Sequence, residues 1–346
     1  MESERILGQN HILRHFENAI RMGKISHAYI INGEEGSGKM NLAIHFAKAL
    51  QCERNNSNKA INEDGERITV PGTACGQCKS CKQTDSKNQP DIKYITYEKS
   101  GIGVDEIREQ INDDIDIKPY SSPYKIYIVP ESEKMTVQAQ NALLKTIEEP
   151  PEYAIIILLT TNADTFLQTI LSRCVMLNIR PVKEDIIKNQ LTSQYGVGDY
   201  EARVAATFSN GNPGKAIKLA TSEEFKELKQ YVVGMFMSLE KGGMDIIGEA
   251  IKKTGTFKKQ IDEYFSLMRI WFRDILVYKA TKEEDQIIFQ DEYMTIEKMS
   301  QTYSFDDIND ILRAIDLAES RIKSNVNFDS TIEILLLSIK EKTSGK

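Results

Sequence analysis

The chain changes its hydrophobic rhythm about halfway along. In the first half, short apolar runs alternate with segments of helical period. His27–Asn32, Asp91–Thr96, Lys125–Val129 and Tyr153–Thr160 have strand length and are rich in Ile, Val and Tyr. Between them, Asn41–Leu50, Asp105–Asp114 and Val137–Glu148 repeat apolar residues at helical spacing. Strands alternating with helices predict an α/β domain on a largely parallel sheet, with ligands gathering beyond the carboxyl ends of the strands. Residues 53–74 interrupt the pattern; they are polar, Asn-rich and without period, and predict a flexible loop. After Pro181 the strand signals largely stop. Residues 182–222 predict a small helical domain, broken at Gly211-Asn212-Pro213-Gly214, and residues 223–346 an almost wholly helical one. There Ile261, Phe265, Met268, Phe272 and Ile275 recur every three or four residues, and Ile332–Ile339 forms a last apolar helical stretch. A core face or a subunit-packing face gives the same stripe.

Composition narrows this picture. With 346 residues, 40% hydrophobic and 27% charged, the chain can bury cores for two or three domains. The net charge of −7 lacks the basic signal of a DNA-binding domain, so any DNA contact is expected to be local or indirect. The longest apolar runs, such as Ala154–Leu159, are too short to span a membrane, and the opening MESERILGQN has no secretory core. A cytoplasmic protein is expected.

Gly33-Glu34-Glu35-Gly36-Ser37-Gly38-Lys39-Met40 follows a strand and precedes a helix, the setting of a phosphate-binding loop. Gly33, Gly36, Ser37 and Gly38 would bring backbone N–H groups to an ATP or ADP phosphate, and Lys39 would reach the β and γ positions. The full pattern ends in Ser or Thr, whose hydroxyl holds Mg²⁺; here Met40 offers a soft thioether instead. The second magnesium position, just after the strand Lys125–Val129, is Pro130, with Glu131 next as a group that could orient a water. Magnesium is thus not expected, and the loop's own occupancy stays open.

Five cysteines are present, and Cys75, Cys78 and Cys81 sit at a spacing of three. Cys52, at the end of the helix after the phosphate loop, completes four thiolates for a closed structural Zn²⁺ site. Such a site would fix the excursion 52–81 onto the domain. Cys174 is remote and is not counted as a ligand.

These residues together resemble the delta-prime subunits of the bacterial DNA polymerase III clamp loader, a family of AAA+ proteins. The resemblance spans nearly the whole chain. It rests on Leu7-Gly8-Gln9, His27-Ala28-Tyr29, the cysteine cluster, Val104-Asp105-Glu106-Ile107-Arg108 and the long stretch Gln140–Pro151. Thr160-Thr161-Asn162, Ser172-Arg173-Cys174 and Asn325-Val326-Asn327 add to it. It implies an AAA+ domain over 1–181 with a zinc module at 52–81, a helical lid over 182–222 and a helical collar over 223–346. It implies a hetero-pentamer with motor (gamma/tau) subunits and a delta subunit, which reaches the sliding clamp and primer-template DNA as a complex within the polymerase III holoenzyme. Arg173 becomes an arginine finger for a neighbour's ATP site. Gly214 stands where motor subunits carry a second sensor arginine, which adds a third departure from an active site. The expected protein is a non-hydrolysing subunit that serves catalysis in trans. Two alternatives remain: a motor ATPase in its own right, and a zinc module that binds DNA through Lys79, Lys82 and Lys87, although no aromatic residue accompanies those lysines.

Overall fold

The computed structural model describes residues 6–56, 71–98, 101–241 and 245–344. The chain divides into two compact units, Met1–Ile186 with Gly211–Lys215, and Ile187–Asn210 with Ala216–Lys346.

The first unit is built on five strands: β1 (Ala28–Asn32), β2 (Ile92–Tyr94), β3 (Lys125–Val129), β4 (Ala154–Thr160) and β5 (Val175–Asn178). They lie in the order β2-β3-β4-β1-β5, and every pairing is parallel. β3 and β4 are buried at every position and mostly apolar because both faces are covered. Its main helices are α1 (Asn10–Met22), α2 (Lys39–Gln51), α3 (Lys79–Asp85), α4 (Val137–Glu148) and the short α5 (Gln168–Leu171). On one face α1 and α2 pack over Tyr29, Ile31, Ile126 and Ile157. Phe16 and Phe46 stack there at 4.0 Å, with Tyr29 edge-on to Phe46 at 5.1 Å. On the other face Ile107, Leu143 and Ile147 meet Ile30, Tyr127 and Ile156. Period-two alternation thus sends successive residues of one strand into two separate cores.

The four expected strands and the three expected helices are present, with ends shifted by a few residues. β5 and α1 are additions. β5 pairs only with β1 at the sheet edge, and of its four residues only Leu177 is buried, so it lacks the apolar run of the inner strands. The expected helix near 105–114 contains a π-helical stretch, Arg108–Asn112. It is tied to the sheet by Asp114, whose carboxylate accepts from Tyr127 at 2.8 Å and pairs with Lys125 at 2.8 Å and Lys93 at 2.7 Å. The expected loop over 53–74 needs one correction: Glu53–Asn56 is a helical turn, because the Asn55 and Asn56 amides bond back to the α2 carbonyls of Ala49 and Leu50. Residues 57–70 of that loop lie outside the described residues.

Among its described residues the second unit is helical, with no strand. Its longest helix, Ile261–Thr281, buries Phe265, Met268, Phe272 and Ile275, four of the five residues of the predicted stripe. Trp271 joins them, stacked on Phe236. Asp274 is fully buried in the same helix; its carboxylate accepts the Ile288 and Phe289 N–H groups at 2.8 Å each and so holds the returning chain. The apolar stretch Ile332–Ile339 lies within the helix Phe328–Ser344. No helix of the described residues is long and apolar enough to cross a membrane.

Candidate functional site

The phosphate-loop residues assemble at the carboxyl edge of the sheet, between β1 and α2. The loop starts where Gly33 N–H bonds to Thr160 O at 3.1 Å and ends at Gly38, in left-handed backbone with φ +94°. Lys39 opens α2, and its Nζ donates to Gly33 O at 2.6 Å and Glu34 O at 2.8 Å. The ammonium is therefore engaged with its own loop. Burial pushes Lys39 below the ordinary lysine value, against the pull of Glu133, Glu35 and Glu34. Met40, at the magnesium position, packs against the apolar core instead.

The turn at 211–215 closes on this loop. Gly214 N–H donates to Gly36 O at 3.1 Å, and Asn212 Nδ2 donates to Glu35 O at 2.7 Å. The oxygen of the same Asn212 amide accepts Lys215 N–H at 3.1 Å. A Cβ at Gly214 would lie 2.5 Å from Gly36 O, so no side chain fits there. A glycine at position 214 thus has a steric cause.

The other expected metal position is Pro130, directly after β3. Glu131 then takes left-handed backbone, φ 46° and ψ 42°, and its carboxylate is held by Tyr97 Oη and, at 2.8 Å, by Lys134. Its carboxylate is thus engaged by Tyr97 and Lys134. Glu133 instead exerts the strongest favourable pull on Lys39. Burial raises Glu133, but hydrogen bonds led by Thr161 outweigh it and hold the carboxyl below its ordinary value. Thr161 Oγ1 donates to it at 2.7 Å. Glu133 and Asn212 are the members of the site that sequence reasoning did not single out.

Arg173 lies apart from this cluster. It precedes β5, which runs parallel to β1, so it sits at the opposite edge of the sheet from the phosphate loop. The four residues of β5 separate the two edges by roughly 13 Å. Its guanidinium pairs with Glu148 at 2.9 Å and donates to Thr169 O at 3.0 Å and Ser172 Oγ at 3.2 Å. The side chains of Arg173 and Glu148 are 40% and 45% exposed.

The four predicted cysteines come together. The Sγ atoms of Cys52, Cys75, Cys78 and Cys81 all lie within 4.8 Å of one another, and Cys75 and Cys81 are 4.0 Å apart. A tetrahedral zinc with bonds of about 2.3 Å needs sulfurs about 3.8 Å apart, so the residues fit that ion. Backbone N–H groups of Cys75, Gln77, Cys78 and Cys81 point at the sulfurs at 3.3–3.5 Å. Those of Gln77 and Cys78 bring the Cys75 thiol down to about 6, whereas burial raises Cys52 and Cys81. The module is also tied down without metal: Arg21 donates to Pro71 O at 2.8 Å, Asn55 bonds Thr73 O and Gly72 N, and Lys48 pairs with Asp85 of α3. Cys174 stands outside the cluster, its thiol pushed up to about 12 by burial.

The family profile described as "DNA polymerase III, delta subunit" matches residues 8–183, and the profile of the delta subunit's carboxyl-terminal region matches residues 248–341. DNA polymerase III subunit delta' of Bacillus subtilis is 26% identical over 337 residues, 96% of each chain. Subunit tau of the same organism is 34% identical over 221 residues, 62% of this chain and 36% of that protein. A solved DNA polymerase III gamma subunit-related protein from Thermotoga maritima aligns over 96% of this chain and 99% of its own at 21% identity, with a TM-score of 0.40. With its parallel sheet, helical C-terminal region and matching profiles, the chain belongs to the DNA polymerase III delta subunit family, as a delta-prime-like member of the AAA+ clamp-loader proteins.

Proposed function

We propose that this chain is a non-hydrolysing clamp-loader subunit that offers Arg173 to the ATP site of a neighbouring motor subunit. The observation that carries the reading is the placement of Arg173 across the sheet from its own phosphate loop, exposed and held by one surface ion pair. An arginine so placed meets a phosphate only on another molecule. Exposed ion pairs contribute about 0–1 kcal/mol. An arginine finger contributes about 10³–10⁵ in rate, roughly 4–7 kcal/mol. Releasing Glu148 therefore costs little beside the rate that a finger would supply.

The cis site supports the same division. Met40 and Pro130 supply no oxygen for magnesium, and Lys39 is bonded to loop carbonyls. Zinc held by Cys52, Cys75, Cys78 and Cys81 would be structural, since four protein thiolates leave no open position. Partners of the tau/gamma and delta type, and through them the sliding clamp and primer-template DNA in the cytoplasm, follow from the family. A loader reconstituted with Arg173→Ala should lose most of its ATPase; unchanged turnover would sink the proposal. The intact glycines and Lys39 favour one competing reading, a motor ATPase in its own right. Hydrolysis by the purified chain that disappears in Lys39→Ala would establish that reading instead.

A further inference from the structure

Within the second unit, residues of the helices Asp199–Phe208, Pro213–Thr221 and Glu223–Lys241 line a cavity of about 130 Å³. Its inner wall is apolar and buried, formed by Val204, Ala205, Leu219 and Phe225. Phe208 meets Phe225 edge-on at 5.5 Å, which fixes that ring in the wall. Two of the lining positions are alanines, Ala205 and Ala220, and their short side chains leave the space open. A cavity of roughly 150 Å³ suffices for benzene. One ring or a short branched chain is therefore the largest apolar group that this one takes.

We infer that the cavity is a binding site for a small carboxylic acid, an apolar group of one-ring size whose carboxylate pairs with Lys229. The Lys229 side chain is half-buried and forms part of the wall. An ammonium carries three N–H donors, and a cation drawn out of water is costly unless it is paired. Nζ of Lys229 donates to Tyr200 Oη at 3.0 Å and lies 4.2 Å from the centroid of that ring. Among the described residues no carboxylate is in ion-pair contact with it. Burial pushes it below the ordinary lysine value, against the more distant pull of Asp291, Glu201 and Glu292. An anion in direct contact supplies what those three do not. The other charged groups at the rim are already engaged. Lys226 pairs with Glu223 at 2.7 Å, and Glu201 turns its carboxylate back over Gly198. The apolar wall and the one cation without an anion thus select the two ends of the same ligand. This site does not depend on the reading of Arg173.

The test titrates the purified full chain with phenylacetate and with phenylacetamide, its neutral counterpart of the same shape, followed by saturation-transfer NMR. Phenylacetate should bind with a Kd of about 1 mM or tighter, and phenylacetamide at least about tenfold more weakly. Lys229→Met should weaken phenylacetate by about tenfold or more and leave phenylacetamide unchanged. Ala220→Leu, which fills the space, should weaken both. No saturation by phenylacetate below about 10 mM would overturn the inference. So would equal affinity for the acid and the amide, or phenylacetate binding that neither variant alters, since the ligand would then sit elsewhere. The comparison of acid with amide needs no substitution, so it decides the matter even where a variant does not fold.

Discussion

The phosphate loop and the Arg173 edge use the same kind of cationic group in opposite ways. At the loop, Lys39 is drawn into carbonyls of its own backbone, and the turn at 211–215 bonds the loop from outside. At the edge, Arg173 leans on Glu148, with both partners open to water. The first arrangement is made of short contacts to backbone that has no second place to go. The second combines an exposed ion pair of little net worth with hydrogen bonds to Thr169 O and Ser172 Oγ, and a stronger anion can replace the Glu148 carboxylate. A cation can thus persist in a fold as an internal tie or as an available contact. Burial and the presence of an exposed ionic partner tell the two apart.

The comparison breaks first at Arg173. Its replacement by alanine should slow the neighbouring site of a reconstituted loader by about 10³-fold, measured as steady-state phosphate release. A loss below tenfold would make the arginine an ordinary surface group. Metal removal is the next largest effect. Stripping zinc with a chelator should lower the melting temperature by more than about 5 °C, because the site joins the end of α2 to α3. The contacts of Asn55, Arg21 and Lys48 should keep the unit folded, so far-ultraviolet dichroism should change little. Asn212→Ala removes a buried donor and acceptor from the loop's outer side. It should cost about 1–2 kcal/mol in urea unfolding, and a neutral result would show that the turn does not brace the loop. Glu148→Gln is expected to be the smallest change, within about 1 kcal/mol by the same measurement. A larger cost would turn the available contact into a structural one and remove the contrast.

Much of this was readable along the chain because the signals are local. β3 and α4 carry their pattern within a dozen residues, and both form over the predicted spans. The cysteine cluster was equally legible, since metal-ligand spacing is a short-range code. What escaped depends on partners distant in sequence. Asn212 reaches Glu35 across 177 positions, and nothing near either residue announces the contact. β5 is recognisable as a strand mainly through its pairing with β1. Glu131 sits in left-handed backbone just after Pro130. That backbone conformation in a glutamate is uncommon, and Tyr97, 34 positions away, holds its carboxylate together with the nearby Lys134.

The contact between Gly36 and Gly214 also bears on how such a protein can change over generations. On the proposed reading, a lineage regaining hydrolysis would need an arginine at 214, a hydroxyl at 40 and a carboxylate at 130. An arginine placed first would drive its Cβ to within 2.5 Å of Gly36 O. A threonine placed first would set a hydroxyl where Met40 now packs on apolar side chains. The changes at 214 and 40 each meet an obstacle already in place. On the proposed reading, geometry itself opposes a return of hydrolysis, and the fold acts as a ratchet on its own history.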